Sequence, residues 1–184
     1  MKYAVVDLEF CKVPKGYKKF GYKWCQETIQ IGAVLFDEDY EIIDEFNTYI
    51  RPEYGHIDWF IENMTGIRQA DVMSAPSFEE ALMMFLDWLP YDDVRCVSWS
   101  DSDPKQIVHE VMAKGIEDER LEIILASWMD CQKTFGRKMG RKDAYKLEQN
   151  PDYELNEFYK TAREEDTEHL SFCMGDLFAG LALA

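Results

Sequence analysis

Two carboxylates stand two residues apart in an apolar segment near the start of the chain. Asp7 and Glu9 lie in YAVVDLEF, residues 3–10, whose β-branched and aromatic side chains predict a buried strand. Side chains alternate across a strand, so both carboxylates would project from one face into a shared site. Oxygen ligands of this kind suit Mg²⁺ or Mn²⁺, which would offset their mutual repulsion. The alternative is an exposed edge strand whose acids are hydrated.

The length and composition predict a single domain spanning residues 1–184. Hydrophobic residues make up 47% of the chain, enough to build a core without disulfides or a structural metal. Five cysteines are odd in number and form no CxxC pair, which favours a reducing, cytoplasmic location. Residues 1–10 lead directly into the acidic strand, and we expect neither a signal peptide nor a membrane span.

The charge is strongly negative, with 20 Lys and Arg against 36 Asp and Glu, a net −16. Such a surface repels phosphate, so any contact with nucleic acid must be local and assisted by metal ions. Two basic stretches interrupt this background, at residues 12–23 and 133–146. The first interleaves lysines, among them Lys15, Lys18 and Lys19, with aromatic rings, a pattern suited to single strands. The alternative is a hydrated loop whose rings cover the core.

The first half of the chain predicts a three-stranded antiparallel meander followed by helices. Residues 27–37 and 41–50 are the second and third strands, and Arg51-Pro52 closes the third. A short helix is expected over residues 57–63, followed by a turn at 64–67. Ser77 with Glu80 three residues later predicts a capping box, and a core-facing helix then runs toward Pro90.

Polar residues follow a predicted fourth strand at residues 95–99. The turn Ser100-Asp101-Ser102-Asp103-Pro104 precedes a helix over 105–114, which places its acids at the carboxyl edge of the sheet. Residues 121–130 predict another strand or extended segment that leads into a helix. Further helices are expected over 154–163 and 172–183, the last carrying Asp176.

These segments together resemble the DEDD 3′–5′ exonucleases, the superfamily of RNase T and the proofreading subunit of DNA polymerase III. No single motif is specific, but their order and spacing are. The chain is most similar to the DEDDh-like branch that contains the histone-mRNA 3′ exonucleases. The matching segments are Asp7-Leu8-Glu9, ETIQIGAV at 27–34, Met64-Thr65-Gly66-Ile67, WSDSD at 99–103, Trp128 to Lys133, and Lys146-Leu147-Glu148.

The resemblance implies a fold and a reaction. The fold is α/β, an RNase H-like mixed sheet in which the meander joins parallel strands flanked by helices. The reaction is hydrolysis at the 3′ end of a single-stranded nucleic acid by two Mg²⁺ or Mn²⁺ ions about 3.5–4 Å apart. The implied metal ligands are Asp7, Glu9, Asp103 and Asp176, with Glu9 also catalytic, and the implied substrate contacts are Phe10, Thr65, Gly66 and Trp99. Asp101 rivals Asp103, because it could cap the helix instead.

The third motif departs from the family pattern. Family members carry a histidine five residues before the last aspartate, and here that position is Ser171. His169, seven residues before Asp176, is the predicted general base, because an imidazole titrates near neutral pH and a displaced loop could absorb two residues. His56 and His109 are poorer candidates, since one lies in a turn and the other within a helix.

Three functions follow from these observations. The first is a metal-dependent 3′–5′ exonuclease acting on single-stranded RNA or DNA. The second is a degenerate relative that binds nucleic-acid ends or a protein, consistent with the altered third motif and the charge of −16. The third is a phosphodiesterase of short oligonucleotides, for which an acidic surface is a smaller obstacle.

Overall fold

A five-stranded mixed sheet organises the part of the chain that the computed structural model describes, residues 1–132. The strands are β1 (Lys2–Lys12), β2 (Gln26–Phe36), β3 (Ile42–Tyr49), β4 (Val94–Ser98) and β5 (Met129–Asp130). The α-helices are α1 (Trp59–Thr65), α2 (Gln69–Val72), α3 (Phe78–Trp88), α4 (Ser102–Lys114) and α5 (Glu119–Ser127). Short 3₁₀ helices cover Lys15–Phe20 and Tyr91–Asp93.

The sheet has the order β3-β2-β1-β4-β5, so the acid-bearing β1 is its central strand. β1, β2 and β3 pair antiparallel, as short turns between consecutive strands allow. β4 pairs parallel to β1, and β5 pairs parallel to β4, each reached through helices. The predicted fold class, a meander joined by parallel strands and flanked by helices, is confirmed.

The main core lies on one face of the sheet, under α3, α4 and α5. Its buried members include Val6 and Leu8 of β1, which point away from the face of Asp7. The capping box of α3 is present: Ser77 Oγ accepts a hydrogen bond from Glu80 N–H, and the Glu80 carboxylate accepts one from Ser77 N–H. Phe85 of α3 is fully buried, which fixes this helix against the meander.

The prediction of a strand or extended segment over residues 121–130 is wrong for most of that range. Residues 119–127 form α5, and only Met129–Asp130 pair with β4. The Asp118 carboxylate caps α5 by accepting a hydrogen bond from Arg120 N–H at 2.9 Å. Leu121 and Ile124, three residues apart, are buried, so the apolar residues follow a helical period rather than an alternating one.

Some predictions lie outside the described residues. These are the second basic stretch, the helices at 154–163 and 172–183, and His169, Ser171 and Asp176. Within residues 1–132, none of the helices combines the length and apolar character needed to cross a bilayer. The single domain and the cytoplasmic location stay predictions.

Candidate active site

Asp7 and Glu9 lie where the central strand loses its neighbour on one side. β1 pairs with β2 along nearly its whole length, but its pairing with β4 ends at Val5 and Val97. Beyond that point the β4 side of β1 is open, and Leu8 N–H there donates to Asp103 Oδ1 at 3.2 Å. The edge-strand part of the alternative is therefore wrong, because β1 lies between β2 and β4, although the Asp7 side chain is exposed and that of Glu9 half-buried.

The structure brings Asp103, rather than Asp101, to the central strand. Asp103 is only 5% exposed, although it lies in the first turn of α4. Asp101 occupies the N-cap position of α4 without making a side-chain capping bond, and it forms an exposed ion pair with Lys105 at 2.8 Å. The predicted preference for Asp103 thus matches the geometry: one end of its carboxylate is held by the backbone of β1.

The pKa of each of the three acids is raised above its usual value. Burial, then the charges of Asp7 and Asp103, raise the pKa of Glu9 to about 7. Burial, then the charge of Asp7, raise the pKa of Asp103 to about 7, although the hydrogen bond from Leu8 opposes the shift. The pKa of Asp7 is also raised, by loss of hydration. Within residues 1–132 no Lys, Arg or His forms an ion pair with any of the three, so their charges have no basic partner there.

A cavity of about 340 Å³ opens on the face of the sheet that carries the acids. Its floor is made of cross-strand rows, of which Asp7–Gly32–Asn47 and Glu9–Gln30–Tyr49 are two. Gly32 stands opposite Asp7, and the lack of a side chain there leaves room beside the carboxylate. Thr65 and Ile67 line the cavity from the end of α1 and the segment after it.

The acids have the donor type that Mg²⁺ and Mn²⁺ prefer, carboxylate oxygens only. The pKa values of Glu9 and Asp103 are raised because burial and neighbouring acids disfavour their negative charge. An added cation would stabilise that charge. Among the described residues, no three His, Cys, Asp or Glu side chains come close enough together to hold a metal ion. The predicted fourth ligand, Asp176, lies outside these residues. The donor type of Asp7, Glu9 and Asp103 thus suits a divalent cation, while their spacing in this structure does not by itself form a metal site.

The predicted substrate contacts lie in different places. Thr65 lines the cavity and is held by its own helix, because its hydroxyl donates to Ile61 O at 2.9 Å. Gly66 ends α1 with φ 76°, a conformation that favours glycine. Phe10 packs half-buried against the main core, and Trp99 packs against the cluster of Val5 on the acid-bearing side of the sheet.

The lysine and aromatic segment after β1 packs beside the loop at residues 53–55. Lys15 and Lys18 are exposed on the 3₁₀ helix that also contains Lys19. Tyr22 is buried, with its hydroxyl donating to Gln26 O, and Trp24 stacks on His109 at 3.7 Å between ring centroids. These two rings thus pack against the protein, as the alternative interpretation expected, while Lys15 and Lys18 stay exposed.

Sequence reasoning missed an exposed apolar surface on α1. Trp59 is 77% exposed and Phe60 55% exposed, on the helix that ends at Thr65 in the cavity wall. Met64 is exposed beside them. The sequence did carry a signal for this surface: Trp59 and Phe60 follow directly after the Asp58 cap. Because Ile61 is the residue of this helix that faces the core, the two rings before it must point elsewhere. Large rings left in solvent next to a cavity point to a binding surface.

A central strand with two carboxylates, a third acid after β4 and a mixed sheet of this order are the features of an RNase H-like nuclease domain. The profile of the RNase_T exonuclease family matches residues 4–151. The chain therefore belongs to this exonuclease family.

Two curated relatives match about a third of the chain. DNA polymerase III PolC-type from Caldanaerobacter subterraneus subsp. tengcongensis is 40% identical over 62 residues, which is 34% of this chain and 4% of that protein. The 3′-5′ exonuclease eri1 from Schizosaccharomyces pombe is 36% identical over 64 residues, 34% of this chain and 22% of that protein. The matches thus span only a small part of these larger relatives.

Solved structures share the fold over nearly the whole chain. The nuclease domain of 3′hExo, a DEDDh family member bound to rAMP, superposes with a TM-score of 0.67 at 19% identity, covering 98% of this chain and 89% of that one. The structure of a 3′-exonuclease that recognises the 3′ end of the histone mRNA stem-loop superposes with a TM-score of 0.71 at 18% identity. The match covers 99% of this chain and 81% of that one. At this identity the likeness establishes the fold.

Proposed function

We propose that this chain is a metal-dependent 3′–5′ exonuclease that hydrolyses phosphodiester bonds at the 3′ end of single-stranded RNA or DNA. The observation that carries the proposal is the placement of three acids around the central strand: Asp7 and Glu9 line a cavity on one face of β1, and Asp103 is bound by Leu8 N–H on its open side. Their pKa values are raised, chiefly by burial, which supports a functional role for this group of acids. The exonuclease family match supports the reaction class.

The proposed metal ligands are held in place by different parts of the protein. Asp7 and Glu9 project from the same face of a rigid central strand, and Asp103 is fixed by Leu8 N–H. Asp176 and His169 complete the proposed set as fourth ligand and proton acceptor, on the strength of the family resemblance. Two Mg²⁺ or Mn²⁺ ions would supply charge stabilisation to the phosphoryl group and activation of water.

The cavity and α1 support binding of a strand end rather than a duplex. About 340 Å³ is enough for one nucleotide-sized group but not for a helix of nucleic acid. The exposed rings of Trp59 and Phe60 offer surfaces for base stacking, which is worth roughly 1–3 kcal/mol per base. Lys15, Lys18 and Lys19 supply local positive charge on a chain of net charge −16.

The relatives support both kinds of substrate. The two solved structures concern a nuclease domain with rAMP and a histone mRNA stem-loop, whereas the PolC-type relative is a DNA polymerase. We therefore propose a nucleic-acid 3′ end as the substrate and leave the sugar open. The 2′-hydroxyl is the group that a site uses to separate RNA from DNA.

The test is 3′-end release from matched RNA and DNA 20-mers and from a dinucleotide, with Mn²⁺ or Mg²⁺ present. Shortening of a 5′-labelled strand one nucleotide at a time supports the exonuclease. Cleavage of the dinucleotide alone would replace it by an oligonucleotide phosphodiesterase. Binding of the 20-mer without cleavage in the presence of either metal would overturn the proposed enzymatic activity and favour a degenerate relative that only binds.

A His169→Ala variant tests the proposed proton acceptor in the same assay. Loss of a general base typically lowers the rate by about 10²–10⁴, while metal and substrate binding remain. Ser171→Ala is the matched control, because Ser171 occupies the position where the family has its histidine. Turnover of His169→Ala equal to wild type would remove this residue from the proposal.

A further inference from the structure

A second group of acids lies buried on the side of α4 that faces the sheet. Glu27 of β2 and Glu110 of α4 are each 1% exposed. Lys114, one turn after Glu110, places its ammonium 3.0 Å from Glu27 and 3.9 Å from Glu110. This buried cluster, defined by Glu27, Glu110 and Lys114, is separate from the acids of the candidate active site.

Glu110 ties α4 directly to β2. Its Oε1 atom accepts hydrogen bonds from the backbone N–H of Thr28 at 2.6 Å and from the Thr28 hydroxyl at 2.5 Å. Gln106 Nε2 donates to the same oxygen at 2.9 Å, while Oε2 has no hydrogen-bond partner. The two bonds from Thr28 fix the position of this helix turn along β2, and the bond from Gln106, on α4 itself, orients the Glu110 carboxylate.

Glu27 holds the loop that leads toward α1. Its carboxylate accepts hydrogen bonds from the backbone N–H groups of Glu53, Tyr54 and Gly55, at 3.2, 2.7 and 2.5 Å. A side chain at Gly55 would collide with Cys11 Sγ, so glycine is what lets this loop approach β1. The cluster therefore joins β2, α4 and the loop before the cavity wall.

The geometry points to Glu110 as a positioning residue for Asp103, an inference that rests on the proposed function of Asp103 as a metal ligand. The two acids are seven residues apart on α4, about two helical turns, and therefore share one face. Each binds a backbone N–H of the sheet: Asp103 that of Leu8 on β1, and Glu110 that of Thr28 on β2. The Glu110 bond sets how far α4 slides and turns, and so where Asp103 meets Leu8.

Exchange of the Leu8 amide proton in metal-free protein reads the position of Asp103 without any assay of activity. In Glu110→Ala the bond from Leu8 to Asp103 should loosen, with exchange at Leu8 faster by roughly tenfold or more. Glu110→Gln keeps an oxygen for Thr28 and should restore slow exchange. Equal acceleration at every β1 amide would overturn the proposal, since it would show global destabilisation only.

Mn²⁺ affinity, measured by calorimetry, provides the second readout. Loss of a residue that orients a ligand typically weakens metal affinity by about 10–100-fold, and Glu110→Ala should fall in this range, with Glu110→Gln near wild type. Leu86→Ala is the control, because Leu86 is fully buried in α3 and should lower stability while leaving Mn²⁺ affinity unchanged. If Glu110→Ala does not fold, Thr28→Val, which removes only the hydroxyl bond, replaces it.

The outcomes separate this inference from the proposed function. If the wild type binds no Mn²⁺ but Glu110→Ala still shows the local change in exchange at Leu8, the positioning role is kept and the metal site is overturned. If the wild type binds Mn²⁺, and neither Leu8 exchange nor Mn²⁺ affinity changes in Glu110→Ala, only the positioning role is overturned.

Discussion

Two groups of acids are joined to α4 about two turns apart, one through Asp103 and the other through Glu110, and they differ in what balances their charge. In the buried cluster, Glu27 and Glu110, with Glu53 at its exposed side, surround the Lys114 ammonium. In the candidate active site, Asp7, Glu9 and Asp103 have no basic partner among residues 1–132. The first group thus has its own cation, although Glu110 Oε2 lacks a hydrogen-bond partner.

The comparison separates structural acids from functional ones without an appeal to motifs. A buried carboxylate that a lysine and several N–H groups satisfy holds elements together. Carboxylates that raise one another's pKa beside an open cavity cost stability unless a cation binds. The same residue type thus has opposite effects on folding in the two places, which can be measured.

The largest expected effect is on turnover in Asp103→Asn. The substitution keeps the shape and the acceptor for Leu8 N–H but removes the charge, so we expect a loss of about 10³-fold or more in kcat. Asp101→Asn, two residues earlier at an exposed ion pair with Lys105, should stay within a few-fold of wild type. Steady-state nuclease kinetics check both. Comparable losses in the two variants would contradict the assignment of Asp103.

Removal of Lys114 should have the largest effect on stability. Lys114→Met leaves Glu27 and Glu110 buried without their cation, and breaking a buried pair costs about 3–5 kcal/mol. Lys105→Met, which breaks the exposed pair with Asp101, should cost about 1 kcal/mol or less. Urea denaturation measures both free energies of unfolding. A loss in Lys114→Met no larger than that in Lys105→Met would mean that the cluster is not structural.

Divalent metal should stabilise the wild-type fold. Binding to the native state alone adds about 2.7 kcal/mol at 100 times Kd, so the melting temperature should rise with Mn²⁺. The double variant Asp7→Asn, Asp103→Asn should show no such rise, and its metal-free form should be at least as stable as wild type, because charge repulsion is removed. Thermal denaturation with EDTA or Mn²⁺ tests this. An equal rise in wild type and double variant would place the metal elsewhere.

The smallest expected effect is the pH dependence of the metal-free protein. Glu9 and Asp103 have pKa values raised to about 7, so each binds its proton more tightly in the folded state than in the unfolded one. Their contribution to stability is therefore greatest below about pH 4 and falls as pH rises toward 7. Glu110, whose burial raises its pKa to about 6, acts in the same direction.

A Glu9→Gln variant isolates the active-site part of that dependence. In EDTA, its free energy of unfolding should fall less between pH 5 and pH 8 than that of wild type, since one titrating acid is gone. Solvent access to Glu9 keeps this difference modest. Urea denaturation at several pH values provides the measurement, and parallel curves for the two proteins would show that Glu9 does not carry a raised pKa.

The sequence by itself determined the local order of this protein. Alternating and helical periods placed β1, β2, β3 and α3, because those patterns depend on which residues must be buried. Asp7 and Glu9 share a face for the same reason. The family match over residues 4–151 agrees with motifs that were visible in the chain. At α5 a short apolar run misled, since a segment of about ten residues is too short to separate a buried strand from a helix with certainty by its apolar pattern.

The tertiary structure alone decided which acids act together. The family resemblance favoured Asp103 over Asp101 but left Asp101 as a rival, and the bond from Leu8 N–H on the open side of β1 is what places Asp103 at the central strand. Nothing local distinguishes Glu110 from a hydrated helix residue, yet its burial against Thr28 makes it part of the frame. Contacts across 82 to 95 residues arise from the packing of α4 on the sheet, and local patterns do not encode them.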